Sequence, residues 1–238
     1  MSSRLCDGYS FKSLSKGKAM NPVSKINQKL VALALLTAAL VVPNFFLQDR
    51  DASFAAEISH VDVGQKAPEF AIKDIKGKTW KLKDHLGKVI VLEWFNFGCP
   101  FVKKHYESGN MQKLQEAYEK KGVVWVCINS SAPGKQGHVS NAEFVKAFEE
   151  KKSSPAAILV DTDGNVGRLY GAKTTPHMFV IGKDGKIIYQ GAIDDKRGTE
   201  QTEIASAKNY VKSALDETLG GKPVTESETK PYGCSVKY

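Results

Sequence analysis

The sequence predicts an α/β domain: a mixed central sheet with helices on both faces and an N-terminal β-hairpin extension. Three observations carry this prediction. Beyond residue 56 the apolar period switches repeatedly between two and about 3.6, the signatures of strand and helix. Val89–Phe95 reads as one continuous apolar run, the pattern of a strand buried on both faces. Segments alternating strand and helix, which need parallel crossovers, give way to two apolar stretches around Lys183-Asp184-Gly185-Lys186, a hairpin signal that forces an antiparallel ending.

Each element has its own local reason. Phe70–Asp74 and Thr79–Leu82 are short strands joined at Lys76-Gly77-Lys78. Pro100 suits the first turn of a helix whose apolar stripe is Val102, Tyr106, Met111, Leu114 and Tyr118, with a bend expected near Gly109 and a stop at Gly122. Val123–Ile128 is the next buried strand. Ser140-Asn141-Ala142-Glu143 is a capping box that opens a helix turning Phe144, Val145 and Phe148 inward. Ala157–Val160, Met178–Ile181 and Ile187–Gln190 complete the strands, and an amphipathic helix over Glu203–Leu219 ends at Gly220-Gly221. The domain organisation that follows is a leader over 1–56, one domain over 57–221, and a tail over 222–238.

Composition narrows the function. The formal charge is +8, but seven of the 34 Lys and Arg and three of the 26 Asp and Glu lie in residues 1–56, which leaves the remainder at +4. A surplus that small, spread as alternating Lys and Glu, is a solvated surface, and no nucleic-acid partner is expected. Cys6, Cys99, Cys127 and Cys234 show neither the paired spacing of a zinc site nor the density of a disulfide-stapled miniprotein. In the leader, five lysines precede the apolar run Leu30–Val42, Pro43 breaks it, and Ser53-Phe54-Ala55 offers small residues for cleavage, the layout of a secretory signal. An uncleaved anchor over Leu30–Leu47 is the alternative, and it is the only route to a membrane association. Either reading places the domain outside the cytoplasm, periplasmic or secreted, and removes Cys6 from its chemistry.

Cys99 stands between the central strand and the first helix, where unpaired N–H groups and the positive end of the helix dipole favour a thiolate. Lys103, Lys104 and His105 follow one turn on, either adding positive potential or simply solvated. A buried, inert small hydrophobe is the other reading of such a cysteine.

Val63-Gly64-Gln65-Lys66-Ala67-Pro68-Glu69-Phe70, then Gly87-Lys88-Val89-Ile90-Val91-Leu92, then Cys99-Pro100, resembles the opening of the redoxin group of the thioredoxin superfamily. That group includes the alkyl hydroperoxide reductase/thiol-specific antioxidant proteins and exported thiol-disulfide oxidoreductases. The likeness runs from about residue 61 to about 219, and Thr174-Thr175-Pro176 matches the superfamily's cis-proline loop. The resemblance implies a thioredoxin-like fold and a cis Pro176 facing Cys99.

Departures from the pattern limit what carries over. Cys99-Pro100-Phe101-Val102 puts valine where classical thioredoxins have their second cysteine. Peroxiredoxins have Thr or Ser where Asn96 stands and Pro where Leu92 stands, and no arginine lies between Arg50 and Arg168. Asn96, Thr175 and backbone amides are the groups left to stabilise a developing negative charge. For a resolving thiol, Cys127 reads as core of a buried strand. The ending Pro231-Tyr232-Gly233-Cys234-Ser235, together with Asn96-Phe97-Gly98-Cys99-Pro100-Phe101, resembles a peroxiredoxin-like subgroup with a C-terminal Gly-Cys motif, which implies a Cys99–Cys234 redox pair. A docked tail with an inert thiol, or one pairing between chains, is the alternative.

The expected site is therefore Cys99, Cys234, Pro176, Thr175 and Asn96, acting without a cofactor on a peroxide or a protein disulfide and fed by a thiol electron donor. A non-catalytic binding module on the same fold is the opposed class. Copper-chaperone chemistry is disfavoured because Phe95 replaces the first cysteine of C-x-x-x-C, although His60, His85, His105, His138 and His177 are potential ligands. His177 beside the proline is read as a surface histidine, or one that tunes the thiolate or contacts a substrate. Gly164, Gly167 and Gly171 are too irregular for a phosphate loop, so no nucleotide is implied.

Overall fold

The computed structural model describes residues 61–238. The leader, with its cleaved and anchored readings, Cys6 and His60 lie outside the described residues. No described helix is long and apolar enough to cross a membrane.

Among the described residues the first elements are the hairpin strands β1 (Ala71–Lys73) and β2 (Thr79–Lys81), whose turn is closed by the Asp74 carboxylate accepting from the amides of Lys76 and Lys78. After a 3-10 turn over Leu82–His85 come β3 (Ile90–Trp94), α1 (Pro100–Glu107), α2 (Asn110–Glu119) and β4 (Val124–Asn129). Next are α3 (Asn141–Glu150), β5 (Ala157–Val160), α4 (Asn165–Leu169), the two-residue β6 (Thr174–Thr175), β7 (His177–Ile181) and β8 (Ile187–Gly191). A 3-10 segment over Gln201–Ser206, α5 (Tyr210–Leu219) and the short β9 (Cys234–Ser235) complete it.

The central sheet runs β5-β4-β3-β7-β8, with β3, β4 and β5 parallel and β7 and β8 antiparallel to their neighbours. Successive strand side chains point to opposite faces, so β3 feeds two cores. Val89, Val91 and Phe95 meet α1, α2, α3 and α5, whereas Ile90, Leu92 and Trp94 meet the hairpin residues Phe70 and Trp80 and, beside α4, Tyr170. Helices thus cover both faces unequally, because the N-terminal hairpin takes much of the second.

Four local expectations change. The stripe from Val102 to Tyr118 is two helices, because Gly109 adopts the left-handed conformation (φ +73°) that glycine tolerates best. The helix expected from Glu203 begins only at Tyr210: Asn209 Oδ1 accepts from the Lys212 amide at 2.8 Å and caps it there, and the residues before it form a 3-10 turn. Val145 is only half-buried, while Phe144 and Phe148 are buried as expected. The glycines around residue 164 frame α4, unanticipated in the sequence, whose first amides Val166 and Gly167 are capped by the buried Asp161 carboxylate at 3.1 and 2.8 Å.

The tail is a docked strap. Thr229 and Ser227 bond to the backbone of Gln190, β9 pairs antiparallel with β6, the Ala132 amide donates to the Lys237 carbonyl, and the Tyr238 hydroxyl donates to the Ala172 carbonyl.

Candidate active site at the head of the first helix

Strand β3 ends at Trp94, and the next residues fold into a tight turn that sets Cys99 as the N-cap of α1. The Cys99 amide donates to the Asn96 carbonyl at 2.9 Å, and the Asn96 side chain accepts from Gly98 N and donates to the Gln136 carbonyl. Asn96 is therefore spent on the turn. Its oxygen and its NH2 group each hold a partner there, so the side chain ties the turn to the segment at Gln136.

Opposite the helix, the Thr175–Pro176 peptide bond is cis, and Pro176 is buried. This loop carries β6, and β6 pairs with β9 so that Thr175 lies in register with Cys234. Gly233 permits the approach: its φ of +134° and its closeness to the Thr175 carbonyl leave no room for a Cβ. The result brings Cys99, Thr175, Pro176 and Cys234 together, although Cys99 and Cys234 are separated by most of the domain in sequence.

Cys99 has no exposed surface, but it is not lost in apolar packing. As a thiol it donates to the Thr175 carbonyl at 3.1 Å and takes no cap bond from the helix amides. Burial opposes its ionisation most strongly. Against that, the Cys234 thiol and amide, the Val102 amide and the Thr175 hydroxyl can all donate to a thiolate, and together they hold Cys99 below the usual thiol range. The Thr175 hydroxyl has no hydrogen-bond partner while the thiol is protonated, so it is free to turn to the anion. Cys234 responds in the opposite sense. Its own burial, and then its hydrogen bond and charge interaction with Cys99, push it up to about 11. All three described cysteines are free thiols. One sulfur is thus held towards the thiolate and its neighbour towards the thiol, the neighbour being one of the donors that stabilise the anion.

Two basic residues expected near the thiol behave differently from their expectation. Lys103 is exposed, but Lys104 and His105 are buried, the ammonium against the carbonyls of Lys196 and Gly198 and the Glu203 carboxylate at 2.9 Å, the imidazole against Tyr232. His177 is not a surface residue either. It is buried, its Nδ1 accepts from the Lys173 amide, and burial followed by the Lys173 charge lowers it to about 3, so it is neutral. Among the described residues no group of three or more His, Cys, Asp or Glu is arranged to hold a metal ion.

Cys127 occupies a different setting. It lies in register with Glu93, a carboxylate inside the strand read as continuously apolar. Glu93 is fully buried and accepts from Trp125 Nε1 and Tyr106 Oη, both at 2.8 Å, and from Cys127 Sγ at 3.4 Å. Burial, then the Glu93 charge, raise the Cys127 thiol well above its ordinary value. The signal for Glu93 was present in the sequence, since a lone carboxylate in a strand buried on both sides must be solvated by donors from neighbouring elements.

A family model described as the AhpC/TSA family matches residues 63–190, more than half of the chain. The chain belongs to the AhpC/TSA family. Its match ends at Gln190, so the strap that brings Cys234 to this AhpC/TSA site lies beyond the matched residues. A relative named thiol-disulfide oxidoreductase ResA, from Bacillus thuringiensis subsp. konkukian, is 32% identical over 143 residues, covering 60% of this chain and 76% of the relative. A crystal structure of an uncharacterized conserved protein from Geobacillus kaustophilus superposes with TM-score 0.63 at 30% identity, over 76% of this chain and 94% of that one. A hypothetical protein from Sinorhizobium meliloti 1021 shares the fold, with TM-score 0.64 at 22% identity over 76% and 96% of the two chains. The thioredoxin-like architecture of this AhpC/TSA member is thus common to proteins of several bacteria.

Proposed function

We propose that the protein is a thiol-disulfide oxidoreductase whose working couple is Cys99 and Cys234. The single observation that carries this reading is that Cys99 donates to the carbonyl of Thr175, the residue in register with Cys234 across the β6–β9 pairing, so that one sulfur is held towards the anion by the other. Kinship with a relative named thiol-disulfide oxidoreductase supports it, and the missing C-x-x-C pair is supplied from the tail. The Cys99 thiolate attacks one sulfur of a substrate disulfide, forming a mixed disulfide and expelling the other sulfur as a thiolate. Cys234, losing its proton, then attacks Cys99. This closes the Cys99–Cys234 disulfide and releases the second substrate thiolate. Two electrons pass from the protein dithiol to the substrate, and an external thiol donor restores the couple. The leader composition supports work outside the cytoplasm, with the domain bounded at about residues 57 and 221 and the strap following it.

The test is oxidation of the full chain with oxidised glutathione, followed by mass spectrometry of a non-reducing digest. The expected product in the wild type is a peptide cross-linked through Cys99 and Cys234, and in Cys234→Ser a stable glutathione adduct on Cys99. Free thiols at both positions after oxidation would refute the couple.

A peroxide substrate is the second reading, favoured by the complete burial of Cys99 beneath the strap, which only a small oxidant passes without displacing it. In that case the thiolate attacks one peroxide oxygen, the O–O bond breaks with hydroxide or alkoxide leaving, and the sulfenic acid that forms on Cys99 is attacked at sulfur by the Cys234 thiol with loss of water. Stopped-flow reaction with hydrogen peroxide separates the two: this reading expects a rate far above that of free cysteine, and a rate equal to it excludes peroxide.

A further inference from the structure

A buried polar cluster centred on Tyr232 lies outside the thiol pair. Tyr232 lies two residues before Cys234 and is buried, with its ring against the edge of Phe101 at 5.9 Å between centroids and Lys104 Nζ 5.8 Å from its ring centroid. Its hydroxyl donates to Asp194 Oδ1 at 2.5 Å and lies 3.2 Å from His105 Nε2. On the other side of the imidazole, Asn110 Nδ2 is 2.9 Å from His105 Nδ1.

These bonds have one consistent direction. Asn110 Nδ2 can only donate, so His105 Nδ1 accepts and Nε2 carries the proton. His105 then donates to the Tyr232 oxygen, and Tyr232 donates to Asp194. His105 is neutral in this arrangement, in keeping with burial and the adjacent Lys104 charge, which lower it to about 3. The second carboxylate oxygen of Asp194 is buried with no hydrogen bond, so Tyr232 supplies one of the few donors that carboxylate has. Around the relay, Lys104 is anchored by Glu203 and by the carbonyls of Lys196 and Gly198.

The relay shares its scaffold with the nucleophile. Cys99 caps α1, and Phe101, Lys104 and His105 lie on the first two turns of the same helix. The strap bends at Gly233, between Tyr232 and Cys234, and both side chains pack against the core cluster that holds Cys99. We propose that Tyr232 is the positioning residue of the thiol pair: its hydroxyl, threaded between His105 and Asp194, sets the strap on α1 so that the Cys234 thiol meets Cys99. The inference rests on the reading of Cys99 and Cys234 as a couple, and it adds a dedicated latch in helix α1 and the Asp194 segment.

Removing only the hydroxyl, in Tyr232→Phe, strips the carboxylate of a donor and the imidazole of its acceptor while the ring stays. The full-length reduced protein is titrated by the pH dependence of Cys99 alkylation with iodoacetamide, and disulfide closure is timed after addition of oxidised glutathione. Loss of a buried hydrogen bond to a charge should slow closure by about tenfold or more. It should also move the alkylation midpoint of Cys99 upward, towards that of Cys234→Ser. Asp194→Asn, which keeps an acceptor but loses the charge, should shift both in the same direction by less. Tyr118→Phe removes a hydroxyl that bonds Asp216 and the Lys212 carbonyl far along the fold, and it should change neither. Absence of closure in the wild type would sink the couple itself. Closure in the wild type with the same rate and midpoint in Tyr232→Phe would sink the latch alone, as would a Tyr118→Phe variant matching Tyr232→Phe in both readouts.

Discussion

Cys99 and Cys127 are both fully buried thiols beside the same central strand, yet their surroundings drive them in opposite directions. Burial opposes ionisation of both. Around Cys99 it is outweighed, because a helix N-terminus and the strap direct donors at the sulfur. Around Cys127 it is reinforced, because the nearest charge is a carboxylate and the thiol acts as one of its donors. The comparison teaches that reactivity follows what points at a sulfur more than how deeply it is buried.

The sharpest way to break that comparison is to delete each sulfur. Cys99→Ser should lower the rate of reaction with a chromogenic disulfide such as DTNB on the order of a thousandfold, since an alcohol does not replace a thiolate nucleophile. Cys127→Ala should leave that rate within about twofold, because its thiol is not directed at Cys99. Equal losses in both variants would erase the distinction between the two sulfurs.

A second, smaller effect isolates the strap. Gly233→Ala should strain the backbone by ~1–3 kcal/mol, since φ of +134° belongs to glycine and the added methyl meets the Thr175 carbonyl. Timed closure after addition of oxidised glutathione should then slow by about tenfold or more, with the helical circular dichroism of the domain unchanged. Closure at the wild-type rate would mean the β6–β9 pairing does not position Cys234.

The smallest effect tests the Cys127 side. Burial, opposed by hydrogen bonds from Trp125, Tyr106, Cys127 and Gln115, raises Glu93 above the ordinary carboxylate value. The folded state therefore holds that proton at pH values where the unfolded chain has released it. The stability associated with protonated Glu93 is complete below the unfolded value and declines as pH rises through the folded one. The slope cannot exceed ~1.4 kcal/mol per pH unit for one proton. Denaturant titrations across this window should show that decline in the wild type and a flatter profile in Glu93→Gln; identical profiles would mean Glu93 does not carry it.

Local chemistry in the sequence was enough for the parallel-then-antiparallel order of strands, the capping box at Ser140 and the position of Cys99 between strand and helix. Periodicity and caps are properties of neighbouring residues, so they are legible without a fold. Asn96 illustrates the limit: residue type alone offered a donor to a developing negative charge, whereas the partners it holds, the Gly98 amide and the Gln136 carbonyl, are set by a loop that returns from residue 136. Lys104 and His105 read as either adding positive potential at the thiol or simply solvated, and their partners come instead from residues 194–203 and 232.

The sequence by itself determined an α/β chain with one cysteine at a helix head, a proline loop ahead of a later strand, and a polar tail carrying a cysteine between aromatics. Only the tertiary structure decided that this tail returns as a strand on the proline loop, that Tyr232 is seated among Asp194, His105 and Lys104, and that Cys99 is deep yet surrounded by donors. The reason is physical: a residue's helix or strand tendency is set by its own neighbours along the chain, but the field at a sulfur is the sum over groups brought close from distant positions, and that sum exists only once the chain has folded.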